Sequence, residues 1–181
     1  MSRKTVYAGI GSRETPVPIL SIMTKFAYAV AETHILRTGG ALGADDAFYK
    51  GAKKWCDEKN HKYENHIEIF LPWDGFNGHK KGNNKHIWSD LPLGASMIAE
   101  KYHPKYEKLK EPAQKLMARN TQQIMGRLLH EHTDFVVCYT SDGRDSGGTG
   151  QALRIARDLN IPVFNLFHRE AYHYCMEYIK K

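Results

Sequence analysis

Cysteine is scarce in this chain: Cys56, Cys138 and Cys175 are the whole supply, and none sits in a CxxC spacing. Three thiols cannot all pair, so a disulfide framework and a cysteine-based zinc site are excluded and reduced, buried thiols are expected. Long apolar runs are missing too. Nothing approaches the ~20 residues of a membrane-spanning helix, and the start, MSRKTVYAGI, enters strand-like residues without the apolar core of a leader peptide. A cytoplasmic protein with no membrane partner is therefore expected. There is no repeat, low-complexity tract or flexible linker. What remains is ordinary globular composition, 41% hydrophobic and 25% charged over 181 residues. A chain of that length buries roughly 70% of its unfolded surface, enough for one self-sufficient core.

Several catalytic signatures are also absent. The ten histidines include no HExxH, and His130 and His132 diverge on a helix, so no metal ligand set forms. No GxSxG elbow supports a serine hydrolase. Neither GxxxxGK[ST] nor a GxGxxG after the first strand occurs, which argues against a P-loop NTPase and an ordinary NAD dehydrogenase. No cofactor is expected.

Charge is modest and local. The formal net is +6, and residues 77 to 110 hold seven lysines (80, 81, 85, 101, 105, 108, 110) against Asp90, Glu100 and Glu107, a net of +4. Such a segment suits an anionic partner, phosphate or nucleic acid. It reads equally as a solvated lysine-rich surface.

Periodicity alternates between two and 3.6 residues. Thr5 to Ile10, His34 to Arg37, Ile67 to Leu71, Asp134 to Tyr139 and Ile161 to Leu166 read as five strands. Between them, Ile19, Met23, Phe26, Ala27 and Val30 mark one helix, and Asp45 to Glu58 a second. Further helices span about Pro112 to His132 and Gly147 to Leu159, with a capping helix from His168. Residues 77 to 110, rich in Gly and Pro, look like a basic insertion with one short helix at about 94 to 102. The pattern predicts a single α/β domain, doubly wound and Rossmann-like, with a mainly parallel five-strand sheet.

In that architecture ligands sit beyond the carboxyl ends of the strands, and the glycines collect there. Gly9, Gly11, Ser12 and Arg13 follow strand 1; Gly39, Gly40, Ala41 and Gly43 follow strand 2; Gly143, Gly147, Gly148 and Gly150 follow strand 4. Glycine lets backbone N–H groups approach an anion, and a helix starting at once adds a partial positive charge. Tight turns alone would explain any one of these loops; three together point to a phosphate site. Ser146 and Thr149 would add hydroxyls, with Gln151 following.

Asn120 lies inside the apolar stripe of the 112 to 132 helix, flanked by Arg119 and Gln123, so its amide must find partners or contact a ligand. Asp45, beside Asp46 at a helix start, reads as an N-terminal cap or as an acceptor for a ribose hydroxyl. Trp73 and Asp74 could set an aromatic face and a carboxylate on the rim, or Trp73 could close the core.

The segments YAGIGSRETP at 7 to 16, TGGALGADDAF at 38 to 48, the pair Arg119 and Asn120, and SGGTGQALRIA at 146 to 156 resemble the SLOG superfamily. This Rossmann-like group joins the DNA-processing protein DprA, the Lonely Guy (LOG) phosphoribohydrolases and nucleotide-sensing domains of bacterial defence. The first two motifs are similar to the DprA side, the last two to the LOG side. The resemblance implies a nucleotide site on the glycine loops, an oligomer, and, since stand-alone versions are common there, a bacteriophage source. It also implies a departure: where LOG enzymes have GGxGTxxE, this loop carries Gln151 for the threonine and Arg154 for the glutamate. Glycosidic cleavage needs a carboxylate, and Arg154 has the wrong sign.

Three functions follow as expectations. The first is binding of a nucleotide or nucleotide-derived signal, such as an ADP-ribose derivative or cyclic nucleotide, in an anti-defence role. Its contacts would be Gly11, Ser12, Arg13, Gly39, Gly40, Ala41, Gly43, Asp45, Trp73, Asp74, Arg119, Asn120, Gln123, Ser146, Gly147, Gly148, Thr149, Gly150 and Gln151. The second is a LOG-like nucleotide N-glycosidase, and the third DprA-like binding of single-stranded DNA through the lysine segment.

Overall fold

Burial in the strands alternates between two layers, and this sets the architecture. The computed structural model describes residues 3–181. β1 (Thr5–Gly9) sends Tyr7 to one side, against Met23, Phe26 and Phe48, and Ala8 to the other, against Ile124, Leu153 and Ile155. A strand buried on both faces and paired on both edges reads as the near-continuous apolar run that TVYAG is. Its partners are β2 (His34–Thr38) and β5 (Phe135–Cys138), both parallel.

β3 (Ile67–Phe70) pairs with β2, β4 (Ile87–Trp88) with β3, and β6 (Val163–Asn165) with β5, all parallel. The sheet order is β4-β3-β2-β1-β5-β6. The chain thus steps outward from β1 to β4, then returns across the sheet to β5. Six strands stand where the sequence predicts five. The additional strand, β4, is two residues long and lies inside the 77 to 110 segment, where punctuation by Gly and Pro masks so short a run.

Helices α1 (Val17–Val30), α2 (Ala44–Lys59) and α6 (Arg169–Ile179) cover the Tyr7 face. On the other face lie α3 (Leu93–Tyr102), α4 (Glu111–Met125) and α5 (Gly147–Asp158). Helix α4 stops at Gly126, well short of His132. Gly126 takes φ +82°, and a Cβ there would stand 2.7 Å from the Glu131 carbonyl, so the chain turns back at that point. Thr133 then donates to the Ile124 carbonyl at 2.8 Å and aims the chain into β5. Cys56, Cys138 and Cys175 are free and buried, and burial pushes their thiols upward, Cys56 to about 11 and Cys175 to about 12. Among the described residues no helix is long and apolar enough to cross a membrane.

Candidate functional site

The switch in strand order falls between β1 and β5, where the connections leaving the two strands diverge and open a cleft. It encloses about 380 Å³. One wall is the loop after β1, from Ile10 through Gly11, Ser12 and Arg13 to Glu14. Ala41 and Asp45, at the start of α2, form the floor on one side. Thr140, Ser141 and the first turn of α5, Ser146 to Thr149 with Ala152, form the opposite wall. Leu116, Met117, Arg119, Asn120 and Gln123 of α4 close it from above.

The walls are tied together by backbone. Ser12 donates its N–H to the Tyr139 carbonyl at 3.1 Å, and Ala44 donates to the Ser12 carbonyl at 3.3 Å. A Cβ on Gly43, which has φ +85°, would stand 2.6 Å from the Arg13 carbonyl. Glycine there lets the two loops touch and lets α2 begin at the cleft.

Beneath the floor lies a buried ion pair. Arg119 and Asp45 are 4% and 3% exposed. Asp45 Oδ2 accepts from the Gly39 N–H at 3.1 Å, the Ala41 N–H at 3.5 Å, Gln123 Nε2 at 3.4 Å and Arg119 at 3.5 Å. Arg119 also donates to the Gly39 carbonyl. Burial pushes the Asp45 carboxyl above its usual value, and the guanidinium with the donor set pulls it back. A Cβ on Gly39 would stand 1.6 Å from the Arg119 guanidinium nitrogen, so this position is glycine because the arginine occupies the space.

The first turn of α5 faces the cleft with open amides. Gly147 has φ +62° and nothing within 4 Å of its Cβ position, and Gly148 has only the Met117 methyl at 3.8 Å. Asn120 Nδ2 holds the turn by donating to the Gly148 carbonyl at 2.9 Å. Ser146 Oγ donates to Asp142 at 2.7 Å, which lowers the Asp142 carboxyl below its usual range.

Of the sequence-predicted site residues, twelve line the cleft: Gly11, Ser12, Arg13, Ala41, Asp45, Arg119, Asn120, Gln123, Ser146, Gly147, Gly148 and Thr149. Seven do not. Gly39 lies under Arg119, Gly40 against His79, and Gly150 against the Asp145 carbonyl. Gly43 packs on the Arg13 backbone. Gln151 is buried between helices and donates to Thr121 Oγ1 at 3.1 Å. Trp73 packs edge-on against Phe76 at 5.1 Å, and Asp74 accepts the Lys81 N–H at 2.6 Å, closing its own loop. Arg119 Nη1 is directed to Gly39 and Asp45 and Asn120 Nδ2 to Gly148, so the pair braces the two loops, while Arg119 Nε has no partner among the described residues. Ile10, Glu14, Leu116, Met117, Thr140, Ser141 and Ala152 line the cleft in addition to the expected residues. Polar Thr140 and Ser141 directly after an all-apolar strand were the available signal.

Arg154 stands apart from the cleft lining. Its guanidinium donates to the Tyr102 and Asp145 carbonyls, each at 2.8 Å, joining α5 to the end of α3 and to its own leading loop.

No protein-family model matches the chain, and no curated protein is similar to it in sequence. Among solved structures, it is similar to DNA processing protein A from Helicobacter pylori, described with a single-stranded DNA binding mode. The TM-score is 0.52 and the identity 18%, over 89% of this chain and 64% of that one. DNA processing protein A (DprA) from Streptococcus pneumoniae gives a TM-score of 0.47 and 11% identity, over 96% of this chain and 56% of that one. The chain therefore spans just under two thirds of the first neighbour and little more than half of the second. The first likeness establishes a DprA-like, Rossmann-like fold.

Proposed function

We propose that this protein binds single-stranded nucleic acid, with the phosphate of one nucleotide held at the first turn of α5 and the strand running over the lysines beside the cleft. The observation that carries this is the meeting of an open helix N-terminus with an unpaired basic rim. Helix α4 runs back from the carboxyl edge of the sheet toward Thr133, so its start lies past the cleft, with Lys105, Lys108 and Lys110 just before it. Together with Lys80, in the loop after β3, these form no ion pair among the described residues. Unpaired cations on one edge suit a polyanion. The binding mode described for the Helicobacter pylori neighbour supports the same reading.

Fluorescence anisotropy with a labelled oligo-dT tests it. Three or four neutralised phosphates would weaken binding roughly 20- to 50-fold between 50 and 200 mM salt. A salt-independent affinity, or none, would remove the proposal.

A second reading, a free nucleotide or nucleotide-derived signal held in the same cleft, is favoured by its dimensions. About 380 Å³ bounded on four sides suits one nucleotide unit. Mass spectrometry of small molecules released by heating the purified protein distinguishes the two, since an intact nucleotide would be recovered only in the second case. For glycosidic cleavage by the LOG route, the position of the glutamate is held by Arg154, whose guanidinium is committed to two backbone carbonyls outside the cleft lining.

A further inference from the structure

Asp45 is the one acidic side chain of the cleft floor, and its two oxygens are unequally used. All four donors that reach it, from Gly39, Ala41, Arg119 and Gln123, converge on Oδ2. Oδ1 accepts no hydrogen bond among the described residues, although Asp45 borders the cleft and is 3% exposed. Oδ1 is not one of the fully buried unpartnered atoms, so it opens on the cleft and takes its hydrogen bonds from whatever fills it, and the groups that can satisfy a carboxylate oxygen there are donors. Phosphate is not one of them; it is repelled. Oδ1 therefore polarises the cleft, with anion on the α5 side and a hydroxyl or N–H on the Asp45 side.

We infer that Asp45 Oδ1 accepts a hydrogen bond from a free sugar hydroxyl of the nucleotide seated in the cleft, so that the site selects units carrying that hydroxyl. The inference rests on the single-strand reading above. It follows from the covalent order of a nucleotide: the neighbour of a phosphate at the α5 turn is its sugar, and the cleft leaves room for little more than one unit. The hydroxyl has two sources, the 2′ position of RNA and the 3′ terminus of DNA. Arg119 sets the geometry as a positioning residue, since its bond to Oδ2 turns the other oxygen toward the ligand.

The test compares three twelve-residue strands on the unmodified protein: oligo-U, oligo-dT with a free 3′ hydroxyl, and oligo-dT ended by a dideoxynucleotide. A hydrogen bond to a charged acceptor predicts a loss of about tenfold or more when the hydroxyl is absent. Tighter oligo-U than both DNA strands assigns the 2′ hydroxyl. A dideoxy end binding about tenfold more weakly than the free end assigns the 3′ hydroxyl. Asp45→Asn, which also removes the counter-charge of buried Arg119 and is therefore titrated only at temperatures where its thermal melt shows it folded, should shrink either difference. Equal affinity for all three strands overturns the hydroxyl contact and leaves strand binding standing. Absence of binding by every strand overturns both.

Discussion

Gly148→Asp separates the binding role of the α5 turn from its structural role. Gly148 is the second residue of α5, its φ is not left-handed, and a Cβ there meets only the Met117 methyl at 3.8 Å, so an aspartate can be built without a clash. A carboxylate in the first turn also favours the helix by about 0.3–1 kcal/mol. The folded protein should therefore melt at the same temperature or slightly higher. For a bound phosphate the same charge is adverse. At a separation of ~5 Å and an effective dielectric of ~20, two unit charges repel by about 3 kcal/mol, and salt screening leaves about 2–3. That corresponds to a roughly 30- to 150-fold loss of affinity. Gly148→Ala, which adds the methyl without the charge, should lose less than threefold. Anisotropy titrations with oligo-dT at 50 mM salt measure the binding, and a thermal melt the fold. Unchanged affinity in a normally folded Gly148→Asp protein would refute placement of the phosphate at this turn.

Gly39→Ala should be far more damaging to stability. Its methyl displaces the Arg119 guanidinium, 1.6 Å away, and leaves Asp45 buried without its counter-charge. Breaking a buried pair in this way costs about 3–5 kcal/mol, readable by urea denaturation. Replacing Arg154 by Met removes two charge-assisted bonds to carbonyls; a loss of about 2 kcal/mol is expected, with strand affinity little changed. Stability should fall on mild acidification. His66, buried beside Lys4 at 3.0 Å and His61 at 3.1 Å, is lowered below its ordinary 6.5 chiefly by burial, as His34, His79 and His86 are. A depressed histidine favours the neutral form, so its contribution is complete above pH 6.5 and is lost as pH falls below it. Melting temperatures at pH 7.5 and 5.5 should show the drop, and His66→Asn should reduce it.

The alternation of short apolar runs with helical stripes is local information, and it was enough to place the helices and all strands but β4. That strand escapes because two residues carry no period; Ile87 and Trp88 become a strand only when β3 offers its edge. The end of α4 escaped for a related reason. Nothing in the order of residues ranks Gly126 above other glycines as a stop, and its role comes from Glu131 returning close to it. The cleft's loops were legible because strand ends and glycines mark them in any doubly wound sheet. Which atoms face the cleft was not. Gly39 and Asp45 are six residues apart and Arg119 lies on a distant helix, yet the three form one buried unit that closes the floor. The sequence by itself determined the fold class and the end of the sheet where binding chemistry collects, because periodicity and turn residues act over a few positions. Only the tertiary structure decided that Arg119 and Asn120 brace the loops, that Trp73 packs aside on Phe76, and that one oxygen of Asp45 remains free, because those outcomes depend on which distant groups reach each atom first.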